Sequence, residues 1–218
     1  MERFCTIILC TYNRKRFEKL IEHNINTQDY PFIHKIIIAD DGNEDERLNL
    51  NLKYPIEYHK VKNRMTIGAK RNFLLSKCET NFIAVMDTDD IYNKSYISTS
   101  IYNMIQYGKF ISGSADMQMY YMDKTYIHRC SQVNMYNEAT LVFLNTHRKF
   151  GDTSTGEGKL FLNDMEQYSH ETNIKDIMIC GVHPNNTVNK SGHLTQEIEL
   201  DLNFQNGINI FNKCIADV

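Results

Sequence analysis

Residues 82–90 read Phe82-Ile83-Ala84-Val85-Met86-Asp87-Thr88-Asp89-Asp90, a short apolar run that ends in three carboxylates within four positions. A continuous apolar run of this length suits a strand buried on both faces, as in a parallel sheet covered by helices. Carboxylates so close together repel one another unless a cation or several donors compensate. Hard divalent ions such as Mg2+ and Mn2+ take oxygen ligands of this kind and keep positions open for substrate phosphates. An ordinary reading stands beside that one: a solvated turn that caps the next helix, with Asp90 as N-cap.

The same arrangement recurs upstream. Phe4 to Cys10 reads as a buried strand followed by Thr11-Tyr12-Asn13, and Phe17, Leu20, Ile21 and Ile25 then fall on one helical stripe. Ile36 to Ala39 is a second strand, ended by Asp40-Asp41-Gly42, and Ile56 to His59 is a third. Ile67, Leu74, Leu75 and Cys78 give helical spacing just before the run at Phe82. This succession predicts an α/β fold with a Rossmann-like, mostly parallel sheet flanked by helices on both faces. Such sheets bind ligands beyond the carboxyl ends of their strands, and every polar cluster named so far falls at one. Downstream, Phe110 to Tyr121 reads as strands, Leu160 to Tyr168 as a helix and Ile177 to Val182 as a strand, while the stretch from Leu200 onward has no assignment.

Composition narrows the function classes. The chain has 218 residues, 42% hydrophobic and 23% charged, with a formal net charge of -3. That is an ordinary globular balance, long enough for one sizeable core. It lacks the basic excess of a general nucleic-acid binder, so no nucleic-acid partner is expected. No apolar run approaches the length of a membrane span. Cys5, Cys10, Cys78, Cys130, Cys180 and Cys214 are scattered without a CxxC pair, which reads as reduced thiols in a cytoplasmic protein. Abundant Asn, Ile, Lys and Tyr suit an AT-rich genome such as that of a large DNA virus, in which case the compartment is the host cytoplasm.

A basic cluster precedes the acidic one: Asn63-Arg64-Met65-Thr66-Ile67-Gly68-Ala69-Lys70-Arg71-Asn72. Gly68-Ala69 permits close backbone approach at a helix start, where N–H groups favour anions. Arg71 shares the apolar stripe with Ile67, Leu74, Leu75 and Cys78, so it points inward and needs an anionic partner. That partner is either a ligand or a structural acid such as Asp40 or Asp41. Asp41 itself is either an ordinary turn residue before Gly42 or an acceptor for a base or ribose.

Together these clusters resemble the family 2 glycosyltransferases, inverting enzymes of the GT-A fold. Thr6 to Arg14 resembles their opening strand and nucleotide loop, and Gln28-Asp29-Tyr30-Pro31 with Ile36 to Gly42 their second strand and its turn. Ile67-Gly68-Ala69-Lys70-Arg71-Asn72 is similar to their G-x-x-x-R-N helix start, and Val85 to Asp90 to their DxD strand end. The resemblance implies a base pocket at Thr11, Tyr12 and Arg14, with Asp41 bonding the base, most simply a uracil imide. It implies that Arg71 meets base or phosphate, that Asp87 reaches ribose or metal, and that Asp89 holds Mn2+ or Mg2+ directly.

The second half matches more loosely. Relatives place an acidic pair at a helix start to supply the catalytic base, and the nearest match is Gly156-Glu157-Gly158-Lys159, with Gly158 in place of the second acid. Glu157 is thus the expected base and Asp152 the reserve. A plain helix-dipole role for Glu157 is the alternative. His183, in Cys180-Gly181-Val182-His183, fits the late histidine that completes the metal site in many relatives, against an ordinary loop histidine; His170 and His193 are weaker options. The expected protein is one catalytic domain over 1–218, with residues 1–95 as the nucleotide-sugar half and 96–218 as the acceptor half and tail, and a second copy of the chain, as a homodimer, is a candidate partner. It would move a sugar from a nucleotide diphosphate sugar, a UDP-sugar first, to a hydroxyl of a glycan, protein or small molecule, in a single displacement. The alternatives are a nucleotidyltransferase, which would carry a glycine-rich loop that Thr11 to Arg16 lacks, and a non-catalytic sugar-nucleotide or glycan-binding module.

Overall fold

The computed structural model describes residues 3–129, 136–187 and 190–216; Cys130 lies outside them. In chain order the first elements are β1 (Cys5–Thr11), α1 (Glu18–Asn26), β2 (Ile33–Asp40), β3 (Ile56–Lys60), α2 (Ile67–Leu75), β4 (Phe82–Asp87), β5 (Ile91–Tyr92) and α3 (Tyr96–Tyr107). Then come β6 (Ile111–Gly113), β7 (Asp116–Tyr121), β8 (Lys124–Arg129), β9 (Val142–Leu144), α4 (Gly158–Leu162), β10 (Ser169–Glu171), β11 (Met178–Gly181), β12 (Gln196–Ile198) and α5 (Gln205–Ile215).

Seven strands form the main sheet in the order β10-β6-β9-β4-β1-β2-β3. β1, β2, β3 and β4 run parallel, while β9 lies antiparallel between β4 and β6. Side chains alternate along a strand, and both faces are covered here. Ile7 and Leu9, Ile36 and Ile38, and Ala84 and Met86 join residues of α1, α3 and α5 in one core. Their neighbours Ile8, Ile37, Ile83 and Val85 pack with Leu74 of α2 and Phe161 of α4 in the other. That two-sided burial is why these strands read as unbroken apolar runs. The parallel strands all end at one edge, which sets Thr11, Asp40, Asp41 and Asp87 side by side.

The second half keeps the strands read over Phe110 to Tyr121 (β6 and β7) and Ile177 to Val182 (β11) and departs from its reading elsewhere. A five-stranded sheet, β12-β8-β7-β11-β5, packs beside the first. The helix expected over 160–168 ends at Leu162, because Asp164 takes a left-handed φ of 59° and a 3-10 turn at Glu166–Tyr168 follows. The unassigned tail forms α5, whose Ile208 and Phe211 are buried against the first core. Asp90 caps no helix: α3 has Ser95 at its N-cap, and the buried Asp90 accepts the Gly181 N–H at 3.1 Å. No described helix is long and apolar enough to cross a membrane.

Candidate active site

A cavity of about 330 Å3 opens beyond the ends of β1 and β4. Thr11, Tyr12, Arg14, Arg71, Asp87, Asp89 and Glu157 line it, together with Arg64, Lys70, Glu138 and Lys190. Asp41, Asp152 and His183 are not among its lining residues.

Arg71 owes its position to the start of α2. Thr66 caps that helix by accepting the Ala69 N–H at 3.0 Å, and its hydroxyl donates to Asp152 Oδ1 at 2.5 Å. Gly68 is a packing requirement, since a Cβ there would stand 1.7 Å from the Gly151 carbonyl oxygen. One turn on, Arg71 is buried, and its partners are not Asp40 or Asp41. Its Nη2 donates to Asp87 Oδ1 at 3.2 Å, and its Nη1 donates to Glu157 Oε1. Glu157 is only 5% exposed. Burial raises its carboxyl pKa, and the Arg71 charge opposes that rise.

Asp41 is saturated. Its Oδ1 accepts Arg64 Nη1 and Lys70 Nζ, each at 2.8 Å, and its Oδ2 accepts the Met65 N–H at 2.7 Å. Burial alone would raise its pKa, but the Lys70 and Met65 bonds hold it below the usual carboxylate range. Lys70 also donates to the Thr11 carbonyl at 3.1 Å, tying α2 to the end of β1. The Arg64 guanidinium lies 3.4 Å from the centre of the Tyr12 ring.

Asp89 gathers donors from two loops. Its Oδ2 faces His183 Nε2 at 3.0 Å, Arg14 Nη2 at 3.3 Å and Asn186 Nδ2 at 3.4 Å. Burial would raise its pKa, but the His183 hydrogen bond and the Arg14 charge hold it well below the ordinary range. The next residue goes the other way: burial raises Asp90, against the pull of Lys190 and with the push of Asp89 and Asp87. Lys190 is half-buried, and its ammonium donates to Cys180 Sγ at 2.5 Å.

The oxygen donors of Asp87 and Asp89 have the chemistry that Mn2+ or Mg2+ takes. His183 fits less well. Its Nδ1 accepts the Asn185 N–H at 3.2 Å, so by that geometry Nε2 carries the proton. An imidazole that ligates through Nε2 needs the opposite tautomer. Among the described residues no three His, Cys, Asp or Glu side chains converge as a ready metal group. Of the weaker histidines, His193 lines the cavity, while His170 stacks on Tyr107 at 4.4 Å, in the edge strand β10.

Among the charged lining residues, Glu138 and Lys190 escaped the sequence reading, and Arg64 and Lys70 stood in its basic cluster without a role. Lys70 was within reach, since it lies three positions from Ile67 and four from Leu74, on the same buried stripe. Arg64, Glu138 and Lys190 stand in irregular segments where no periodicity marks them.

The fold and cavity define an α/β protein with a charged ligand cleft at the carboxyl ends of its parallel strands. The family model described as glycosyl transferase family 2 matches residues 6–169. The chain belongs to that family and has the GT-A fold. No curated protein matches it. Among solved structures, S. aureus TarS 1-349 in complex with UDP-GlcNAc is similar at TM-score 0.61 and 14% identity, over 99% of this chain and 67% of that one. The mannosyltransferase PcManGT from Pyrobaculum calidifontis, in complex with GDP-Man and Mn2+, is similar at TM-score 0.61 and 11% identity, over 96% and 69% of the two chains. At such identities the likeness shows the fold. The chain spans 37% of one S. aureus TarS structure and 60% of another.

Proposed function

We propose that the chain transfers a sugar from a nucleotide diphosphate sugar, a UDP-sugar first, to a hydroxyl acceptor with inversion, assisted by a divalent ion. The observation that carries this reading is the meeting of Arg14, Arg71 and Lys190 with Asp87 and Asp89 in one cavity at the strand ends. The cations suit a diphosphate, and the acids suit its counter-ion. The TarS and PcManGT complexes, with UDP-GlcNAc and with GDP-Man and Mn2+, support a nucleotide-sugar donor. In this reading residues 1–95 supply the donor half of a single catalytic domain and 96–218 the acceptor half.

Negative charge builds on the diphosphate as the glycosidic bond breaks. Fixed cations that face that charge lower the barrier without reorganising. Arg71 is held by Asp87 and Glu157, so its guanidinium is oriented before the donor arrives. Arg14 reaches the same region from the other side, its Nη2 also donating to the Asn185 carbonyl at 3.0 Å. Asp87 and Asp89 would hold Mn2+ or Mg2+, which would neutralise the diphosphate as a Lewis acid. Tyr12 and Arg64 supply a planar, polarisable floor for the base beside Thr11. Asp41 then acts behind that floor, orienting Arg64 and Lys70 and not touching the base.

Of the two acids read as proton acceptors, only Glu157 lines the cavity; Asp152 is exposed and supports the cap of α2. A single displacement with one proton acceptor on the face opposite the diphosphate inverts the anomeric centre.

Thermal shift and calorimetry with UDP, GDP and CDP, each with and without Mn2+, test the donor. A ligand that binds only the native state raises the melting temperature by mass action. We expect the largest shift from UDP with Mn2+, and slow release of UDP from a UDP-sugar into water. If GDP binds clearly tighter, the uridine assignment falls; if no nucleotide binds, the transferase reading falls with it.

A further inference from the structure

We propose that Glu138 is the catalytic base, and that Glu157 is the positioning residue that holds Arg71. The inference rests on the transferase reading above and names the proton acceptor within it. Where relatives carry an acidic pair at the start of this helix, the chain has Glu157-Gly158, and the second carboxylate is missing. The space that it would enter is filled. A Cβ on Gly158 would stand 2.6 Å from Glu138 Cγ, 2.8 Å from Oε1 and 3.0 Å from Cδ. The Gly158 N–H donates to that same Oε1 at 3.0 Å. Glu138 therefore brings a carboxylate from the connection before β9 to the spot that a side chain at 158 would occupy. With the Glu138 side chain in this position, glycine leaves it the room that a Cβ at 158 would take.

The backbone that carries Glu138 is pinned on both sides. The Asn137 N–H donates to the Ser114 carbonyl at 2.8 Å, and the Tyr92 hydroxyl donates to the Ala139 carbonyl at 3.0 Å. Among the described residues, Glu138 Oε2 has no partner, and the half-buried residue lines the cavity. Glu157 stands in contrast. It is buried and engaged by Arg71, and protonating it would remove one of the two acids that compensate a buried guanidinium. Two carboxylates line the same wall. One is committed to a cation, and the other keeps one oxygen without a partner among the described residues.

In the step assigned to Glu138, the acceptor O–H proton passes to Oε2 as the acceptor oxygen bonds to the anomeric carbon. The bond from that carbon to the diphosphate oxygen breaks, and its electron pair leaves on the nucleotide diphosphate. The neutral carboxylic acid of Glu138 then loses its proton to water at the cavity mouth. With water as acceptor the same step is donor hydrolysis.

The test compares wild type, Glu138→Gln, Glu157→Gln, Glu138→Ala, and Glu138→Ala combined with Gly158→Asp. UDP release from UDP-sugars is measured in Mn2+, and UDP affinity by calorimetry. Glu138→Gln keeps an acceptor for the Gly158 N–H, so UDP affinity should stay unchanged while turnover falls by about 100-fold to 10,000-fold. Glu157→Gln should weaken UDP binding itself, because Arg71 loses its anchor. The combined variant moves the carboxylate onto α4 and should exceed Glu138→Ala by about tenfold or more. Normal turnover in Glu138→Gln overturns the assignment, as does a loss of UDP affinity that matches the loss of turnover. A combined variant that binds UDP yet is no faster than Glu138→Ala overturns the shared position. Wild type that neither binds nor hydrolyses any UDP-sugar takes down the transferase reading itself, an outcome distinct from all of these.

Discussion

The cavity has two charged walls built in different ways. On the first, Arg71 of α2 lies between Asp87 at the end of β4 and Glu157 at the start of α4. Its members stand on or directly beside regular elements, and the Arg71 side chain is 2% exposed. On the second, Asp89 meets Arg14 from the connection after β1 and His183 and Asn186 from the connection after β11. A buried charge on a rigid element must be compensated permanently, so the first wall reads as scaffold that also faces the ligand. Side chains on connecting segments are freer to exchange partners, and such segments carry binding function on a fixed frame. The Asp89 wall is accordingly where an arriving ion and diphosphate would replace protein donors. Asp87 belongs to both: it anchors Arg71, yet its side chain is 36% exposed.

If that contrast is right, removing a scaffold charge should cost stability most. Arg71→Ala leaves Glu157 buried without its cation and should cost about 3–5 kcal/mol, read as a lowered urea midpoint. Replacing both charges, Arg71→Met with Glu157→Leu, should recover much of that loss, because no buried ion is then left alone. An Arg71→Ala protein that unfolds at the wild-type midpoint would erase the distinction between the walls.

The second wall predicts a loss of ligand affinity instead. Asp89→Asn keeps an acceptor for Arg14 and His183, so the fold should survive. In Mn2+ its UDP affinity should fall by about 1.5–3 kcal/mol, the scale of hydrogen bonds to charged groups. With chelator present, wild type and variant should bind UDP alike. Equal affinity in Mn2+ as well would mean that Asp89 takes no part in holding the ion.

The first half was legible because its strands are buried on both faces. Ile7-Ile8-Leu9, Ile36-Ile37-Ile38 and Phe82 to Met86 show as apolar runs, and the acids that end them fall at the ligand edge. Arg71 was legible for the same reason, as a charge on an apolar stripe, but its partners were not. Glu157 lies 86 positions away in sequence, and no local pattern encodes that pairing. Asp41 was legible as an acid at a strand end, but its bonds to Arg64, Lys70 and the Met65 N–H were not, because a polar turn residue looks the same in sequence whatever it meets. Of the second sheet, β7 and β11 fall within the runs read as strands over Phe110 to Tyr121 and Ile177 to Val182, while β5 has only two residues, too short to show a period. The helix read over 160–168 ended early at Leu162, ahead of Asp164, whose left-handed backbone no apolar spacing reveals. Glu138 left its trace in an absence, the glycine at 158.

The smallest effect falls on the residues that hold the start of α2 from outside the cavity. Thr66 accepts the Ala69 N–H and donates to Asp152, so it fixes the turn from which Arg71 projects. Thr66→Ala removes the cap and should cost about 1 kcal/mol. Asp152 is exposed, and Asn at that position still offers an oxygen to the Thr66 hydroxyl. Asp152→Asn should therefore shift stability by less than about 0.5 kcal/mol, as surface substitutions generally do. UDP release should remain at the wild-type rate, since the carboxylate lies outside the cleft and its only described partner is the cap. Melting temperature and UDP release, measured together, separate this supporting role from a chemical one. A collapse of turnover in Asp152→Asn at unchanged melting temperature would make Asp152 the proton acceptor, and would move the chemistry from the Arg71 wall to the loop that packs on Gly68.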